Sequence, residues 1–156
     1  DFGNLSQRVL SMIHKDCDAQ VPQPGATEEA DEALLAEAHG LLGILYPTLR
    51  EQAFHEALEA IWVIIRMANK YMDEQAPWAL KKKAPTRMET VLYVLTEVIR
   101  HLAILSQPFM PDSMAKMLGQ LSVATSACGL GMAAPNITAS LLKYFPAEVA
   151  RHVQSR

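Results

Sequence analysis

Residues 54–78 read FHEALEAIWVIIRMANKYMDEQAPW, and the spacing of their apolar positions decides the class of fold. Phe54, Ala57, Leu58, Ile61, Ile65 and Ala68 recur three or four positions apart, the repeat of one helix face. The run predicts a helix of about five or six turns at 3.6 residues each. Pro77 ends it, because proline lacks an amide donor and disfavours helical backbone in the residue before it. Pro77 and Pro85 then bracket a short connection that carries Trp78.

Outward from this run the same period returns. Phe2, Leu5, Val9, Met12 and Ile13 predict a first amphipathic helix over about residues 3–14. Val21, Pro22, Gln23, Pro24 and Gly25 predict a loop. Thr27 is the expected N-cap of a second helix, with Glu28, Glu29, Asp31 and Glu32 in the first turn, where exposed amides favour negative charge. The acidic run 28–37 reads as a solvated, capped face. Leu34, Leu35, Ala38, Leu41, Leu42 and Leu45 form the buried stripe of that helix, and Tyr46 and Pro47 mark its end.

Beyond the Trp78 connection, Thr86 and Glu89 have capping-box spacing and predict a helix through Val91, Leu92, Leu95, Val98, Leu102 and Leu105. Pro108 and Pro111 stop it. Asp112 is the expected cap of a shorter helix carrying Met114, Met117, Leu118 and Leu121. Such helices cannot stand alone, so the expected fold is all-α: an antiparallel helix bundle of about five helices over residues 1–121. Residues 122–156, with Pro135 and then Leu141, Leu142, Tyr144, Phe145 and Pro146, read as an irregular C-terminal arm on the bundle or on a further domain.

Half of the 156 residues are apolar and 20% are charged, the balance of a single globular domain. The net charge of −3 provides no overall attraction to nucleic acid, so any RNA contact must come from a local patch. Cys17 and Cys128 are far apart and lack partners at metal-ligand spacing; free thiols are expected. His14, His39, His55, His101 and His152 are scattered and read as surface or satisfied core histidines, so no metal site is expected. The eight methionines read as core filler. No membrane-length apolar run or basic-then-apolar leader is present, and a soluble cytoplasmic protein is expected, or one of the mitochondrial matrix. The chain opens on Asp1 and Phe2 directly in a helical pattern, as an excised fragment would.

No glycine-rich phosphate loop, paired histidines or nucleophile beside a base is present, so no catalytic residue is assigned. What stands out is the run from Asn69 to Trp78, NKYMDEQAPW, which resembles the NRYVDEQAPW type of sequence in the anticodon-binding domain of methionyl-tRNA synthetases. The opening DFGNLSQR is similar to the LGNLxxR motif that begins the same domain, in the same order. Lys143, Tyr144, Phe145 and Pro146 resemble an LFPR-like arm, but lysine and tyrosine depart from its leucine position and alanine replaces its arginine.

The resemblance implies that Trp78 stacks on the first anticodon base, a cytosine, while Asn4 and Arg8 contact anticodon bases. Physical chemistry permits this: Asn4 and Arg8 are four residues apart on one helix side, and an amide and a guanidinium offer edge-bonding and stacking groups. Pro77, Lys81, Lys82 and Lys83 are candidate supporting contacts; the lysines with Arg87 read either as a patch for phosphates or as a solvated helix end. The implied partners are the anticodon loop of methionine tRNA and a catalytic domain of the same polypeptide, with neither DNA nor membrane. ATP with magnesium is implied for that catalytic domain alone, since the family's HIGH and KMSKS motifs are missing here. The alternatives are the equivalent bundle of another class I synthetase, or a helical module that binds a protein partner.

Overall fold

The fold was obtained as a computed structural model of the chain, and it describes residues 2–125. Helices α1 (Phe2–Asp16), α2 (Glu29–Arg50), α3 (Phe54–Gln75), α4 (Pro77–Lys83), α5 (Pro85–Leu105) and α6 (Pro111–Thr125) follow one another, with no strand among the described residues. The all-α expectation holds. Five helices are long and one is short, α4, where the sequence reading had a plain connection. Seven residues are too few to display an apolar period, and α4 is helical because Pro77 sits at its first position and Leu80 packs on the core. The expected arm beyond Ser122 lies almost wholly outside the described residues, as does Cys128.

The core is organised around α5, which touches every other described helix. Val91, Leu92, Val94, Leu95, Val98, Ile99, Leu102 and Ala103 are all at 0% exposure, so α5 is buried nearly all round and not along one stripe. Against it α1 presents Phe2, Leu5, Val9 and Ile13, and α2 presents Leu34, Ala38, Leu41 and Leu45, close to the predicted stripes. A three-residue link joins α2 to α3, which pack as antiparallel neighbours.

Several helix ends differ from the sequence reading. α2 continues through Pro47 to Arg50. One proline removes one amide, and the loss is offset because Leu45 on one side is buried, Leu49 on the other is packed on the core, and the Thr48 hydroxyl donates to the Ile44 carbonyl at 2.6 Å. The N-cap of α2 is Glu28, not Thr27, and the Asp31 carboxylate accepts from the Glu28 amide at 2.9 Å; Thr27 instead donates to Glu32. Thr86 and Glu89 make no capping box, because α5 already begins at Pro85. Asp112 likewise lies in the first turn of α6, after Pro111.

On α3 the buried residues are Ala57, Ile61, Ile64, Ile65, Ala68, Tyr71 and Met72. Phe54 and Leu58, expected inside, are 53% and 39% exposed: the first is the leading residue of the helix and the second lies at the margin of the buried arc. Before α2, the loop reaches the core through Val21, and Gly25 closes on α5, its amide donating to Thr90 Oγ1 at 2.9 Å. A Cβ on Gly25 would lie 3.0 Å from Thr86 Cγ2, which is why the smallest residue stands there.

Candidate nucleic-acid interface

The six residues Asp73 to Trp78 each serve a separate structural purpose at the α3–α4 junction. Asp73 faces α1, and its Oδ1 accepts from Arg8 Nη2 at 3.0 Å. Glu74 lies 3.6 Å from Lys70 one turn back on α3. Gln75 Oε1 accepts from Arg87 Nη2 at 2.7 Å, which ties the end of α3 to the start of α5. Ala76 then takes the left-handed conformation, φ 42° and ψ 60°, and its amide returns to the Met72 carbonyl, ending the helix. Pro77 is buried as the first residue of α4. Trp78, next to it, is left 51% exposed on a backbone fixed from both sides.

Arg8 is the residue that gathers the site. Its guanidinium carbon lies 5.5 Å from the centre of the Trp78 ring, within cation–π range, while Asp73 holds its Nη2. Three helices, α1, α3 and α4, therefore meet through one side chain. Asn4 is exposed one turn earlier on α1. Of the three residues singled out from the sequence, the fold brings Arg8 and Trp78 together, while Asn4 lies four positions before Arg8 on α1.

The lysines are less uniform. Lys81 Nζ lies 2.5 Å from Asp16 Oδ1, so that it joins α4 to the end of α1, while Lys82 and Lys83 are exposed. Arg87, expected in the same patch, belongs to the interior. It donates to both oxygens of Asp31, at 2.5 and 2.8 Å, and lies 3.3 Å from Glu28. Asp31 has no exposure at all and also accepts from the Tyr71 hydroxyl, which corrects the reading of residues 28–37 as a wholly solvated face.

Burial pushes the Asp31 carboxyl up, but bonds from Arg87, Tyr71 and the Glu28 amide, with the Arg87 charge, outweigh it and leave the group below its ordinary value. The bond to Asp31 strengthens the hold of Arg87 on its proton, against burial. Burial, then Asp31, pushes the Tyr71 hydroxyl up, so it remains a donor. Under the site, α2, α3 and α5 are locked by one ionic cluster. The sequence reading missed it; the signal available was Tyr71 and Gln75, four apart on α3 and polar where the helix turns inward. Cys17, at the end of α1, is pushed up to about 11 by burial and by the charges of Glu89, Asp16 and Asp18, and stays a protonated thiol.

An exposed aromatic on a rigid turn, a guanidinium against it and an exposed amide nearby can together stack an unpaired base and bond its edges. Residues 21–143 match the family model described as the anticodon binding domain of methionyl tRNA ligase. Trp78 lies inside the matched span, whereas Asn4 and Arg8 precede it. The methionine--tRNA ligase of Brucella suis is 50% identical over 123 residues, covering 79% of this chain and 24% of that protein. That of Mycobacterium bovis is 48% identical over 128 residues, covering 80% and 25%. The apo crystal structure of Mycobacterium tuberculosis methionyl-tRNA synthetase superposes with a TM-score of 0.72 at 50% identity, over 74% of this chain and 24% of that one. The chain therefore spans about a quarter of the length of the relatives it matches. On its sequence, its helices and the junction that presents Trp78, the chain belongs to the family of methionyl-tRNA ligase anticodon-binding domains.

Proposed function

We propose that this domain reads the CAU anticodon of methionine tRNA, with Trp78 stacking on the first base and Asn4 and Arg8 bonding base edges. The observation that carries the reading is Arg8, held by Asp73 at 3.0 Å and set over an exposed Trp78. A cytosine entering this surface meets a flat ring on a fixed backbone, so little side-chain freedom is lost on stacking. Lys82 and Lys83 are placed to meet phosphates, which position the loop without reading it. Among the described residues no helix is long and apolar enough to cross a membrane.

Methionine activation with ATP and magnesium, and its transfer to the tRNA, belong in this reading to the catalytic part of the parent enzyme. The bundle's contribution is to hold the tRNA so that its acceptor end reaches that part. A gel shift tests the reading: methionine tRNA binds, a tRNA with a changed anticodon binds weakly, and Trp78→Ala weakens the first by about tenfold, as loss of one stacked base does. Equal retention of both tRNAs, or unchanged binding by Trp78→Ala, would overturn it.

A further inference from the structure

Two imidazoles and a carboxylate meet where α2 packs on α5, on helices that carry none of Asn4, Arg8 or Trp78. Glu97 and His101 stand one turn apart on α5, with Glu97 Oε1 3.4 Å from His101 Nδ1. His39 comes across from α2, its ring centre 4.6 Å from that of His101. One nitrogen or oxygen from each residue lies within 4.8 Å of the others. We propose that His39, Glu97 and His101 form a binding site for a single divalent transition-metal ion of the zinc class.

The donor set selects the ion. Two imidazoles and one carboxylate suit zinc and its first-row neighbours, whereas calcium and magnesium need several oxygen ligands. Tetrahedral bonds of about 2.0–2.2 Å place ligand atoms roughly 3.3–3.6 Å apart, so the widest pair of the cluster closes by no more than about 1.5 Å on binding. His39 is exposed and can make that movement, while the helix fixes the Glu97–His101 pair. The exposed side leaves a fourth position to water.

The surroundings of the pair prepare it for a cation. With Nδ1 3.0 Å from the Glu97 carbonyl, the His101 ring is held in one orientation on α5. Arg100 donates to both Glu97 oxygens, through Nε at 2.9 Å and through Nη2. A carboxylate offers about four lone-pair sites, so Arg100 orients Glu97 and leaves it able to bind. The arginine charge also opposes the ion, which limits affinity and favours zinc, with its nitrogen ligands, over ions held by charge alone. A bound ion would clip α2 to α5.

The test uses the chain freed of metal by a chelator and titrated with cobalt(II) alone, then with zinc. Cobalt is expected to give a visible absorption that saturates at one equivalent and is bleached by zinc. His39→Ala, an exposed change that leaves the core intact, weakens binding by at least about tenfold, on the scale of loss at metal sites. It also abolishes the rise in melting temperature that zinc gives the unaltered chain. His55→Ala, on α3, changes neither readout. No saturable signal at one equivalent, or a signal that survives His39→Ala, would overturn the proposal.

Discussion

Asp31 holds the least expected position of any charged residue in the fold. Its carboxylate has no contact with water and accepts from Arg87, Tyr71 and the Glu28 amide. Removing one member of a buried ionic cluster leaves the others without a counter-charge, so Asp31→Ala is expected to cost about 3 kcal/mol, measured as a lower urea midpoint. The pH dependence follows from the lowered carboxyl. Its contribution is present above the unfolded-chain value of about 3.9 and is lost as pH falls through the still lower folded-state value. Melting curves near neutral pH and below about pH 4 should therefore diverge more for the unaltered chain than for Asp31→Asn, which has no proton to gain. Equal loss in both would remove Asp31 as the cause. In the sequence Asp31 is one acid among several, and periodicity cannot choose which of them turns inward. The choice is made by Tyr71 and Arg87, 40 and 56 positions away.

At the scale of elements, the long helices were legible because apolar spacing records directly which face is buried. The short pieces and ends were not. α4 has only two turns, Pro47 signals an end that neighbouring leucines override, and the Thr86 pattern competes with a proline one residue earlier. The turn at Ala76 shows the same limit: nothing in an alanine announces a left-handed backbone. That conformation costs a residue with a Cβ roughly 1–2 kcal/mol, and glycine restores it while giving back part of the gain as freedom of the unfolded chain. Ala76→Gly is thus expected to raise stability by up to about 1 kcal/mol, and Ala76→Val, branched where φ is 42°, to lower it. Chemical denaturation of the two variants checks this. A loss for glycine would mean that Ala76 makes contacts worth more than its backbone strain.

For the whole molecule, the bundle brings α1 to the α3–α4 junction, and the candidate site exists only there. Arg8 stands seventy positions before Trp78 and meets it only because α1 packs on the core, with Asn4 exposed one turn earlier on the same helix. Spacing alone placed Asn4 and Arg8 on one side of a helix; the resemblance joined them to Trp78, and the fold supplies the contact. Asp73 and the buried cluster beneath the site came only with the third dimension. Trp62 and Trp78 are the only tryptophans, so Trp62→Phe leaves the Trp78 ring as the sole indole emitter. Titrating that variant at low salt with an RNA hairpin bearing a CAU loop should quench its fluorescence in a saturable way. A hairpin with the loop cytosine replaced should bind about tenfold more weakly, the scale of one stacked and bonded base. Unchanged emission, or equal quenching by both hairpins, would contradict the assignment of Trp78 to the anticodon.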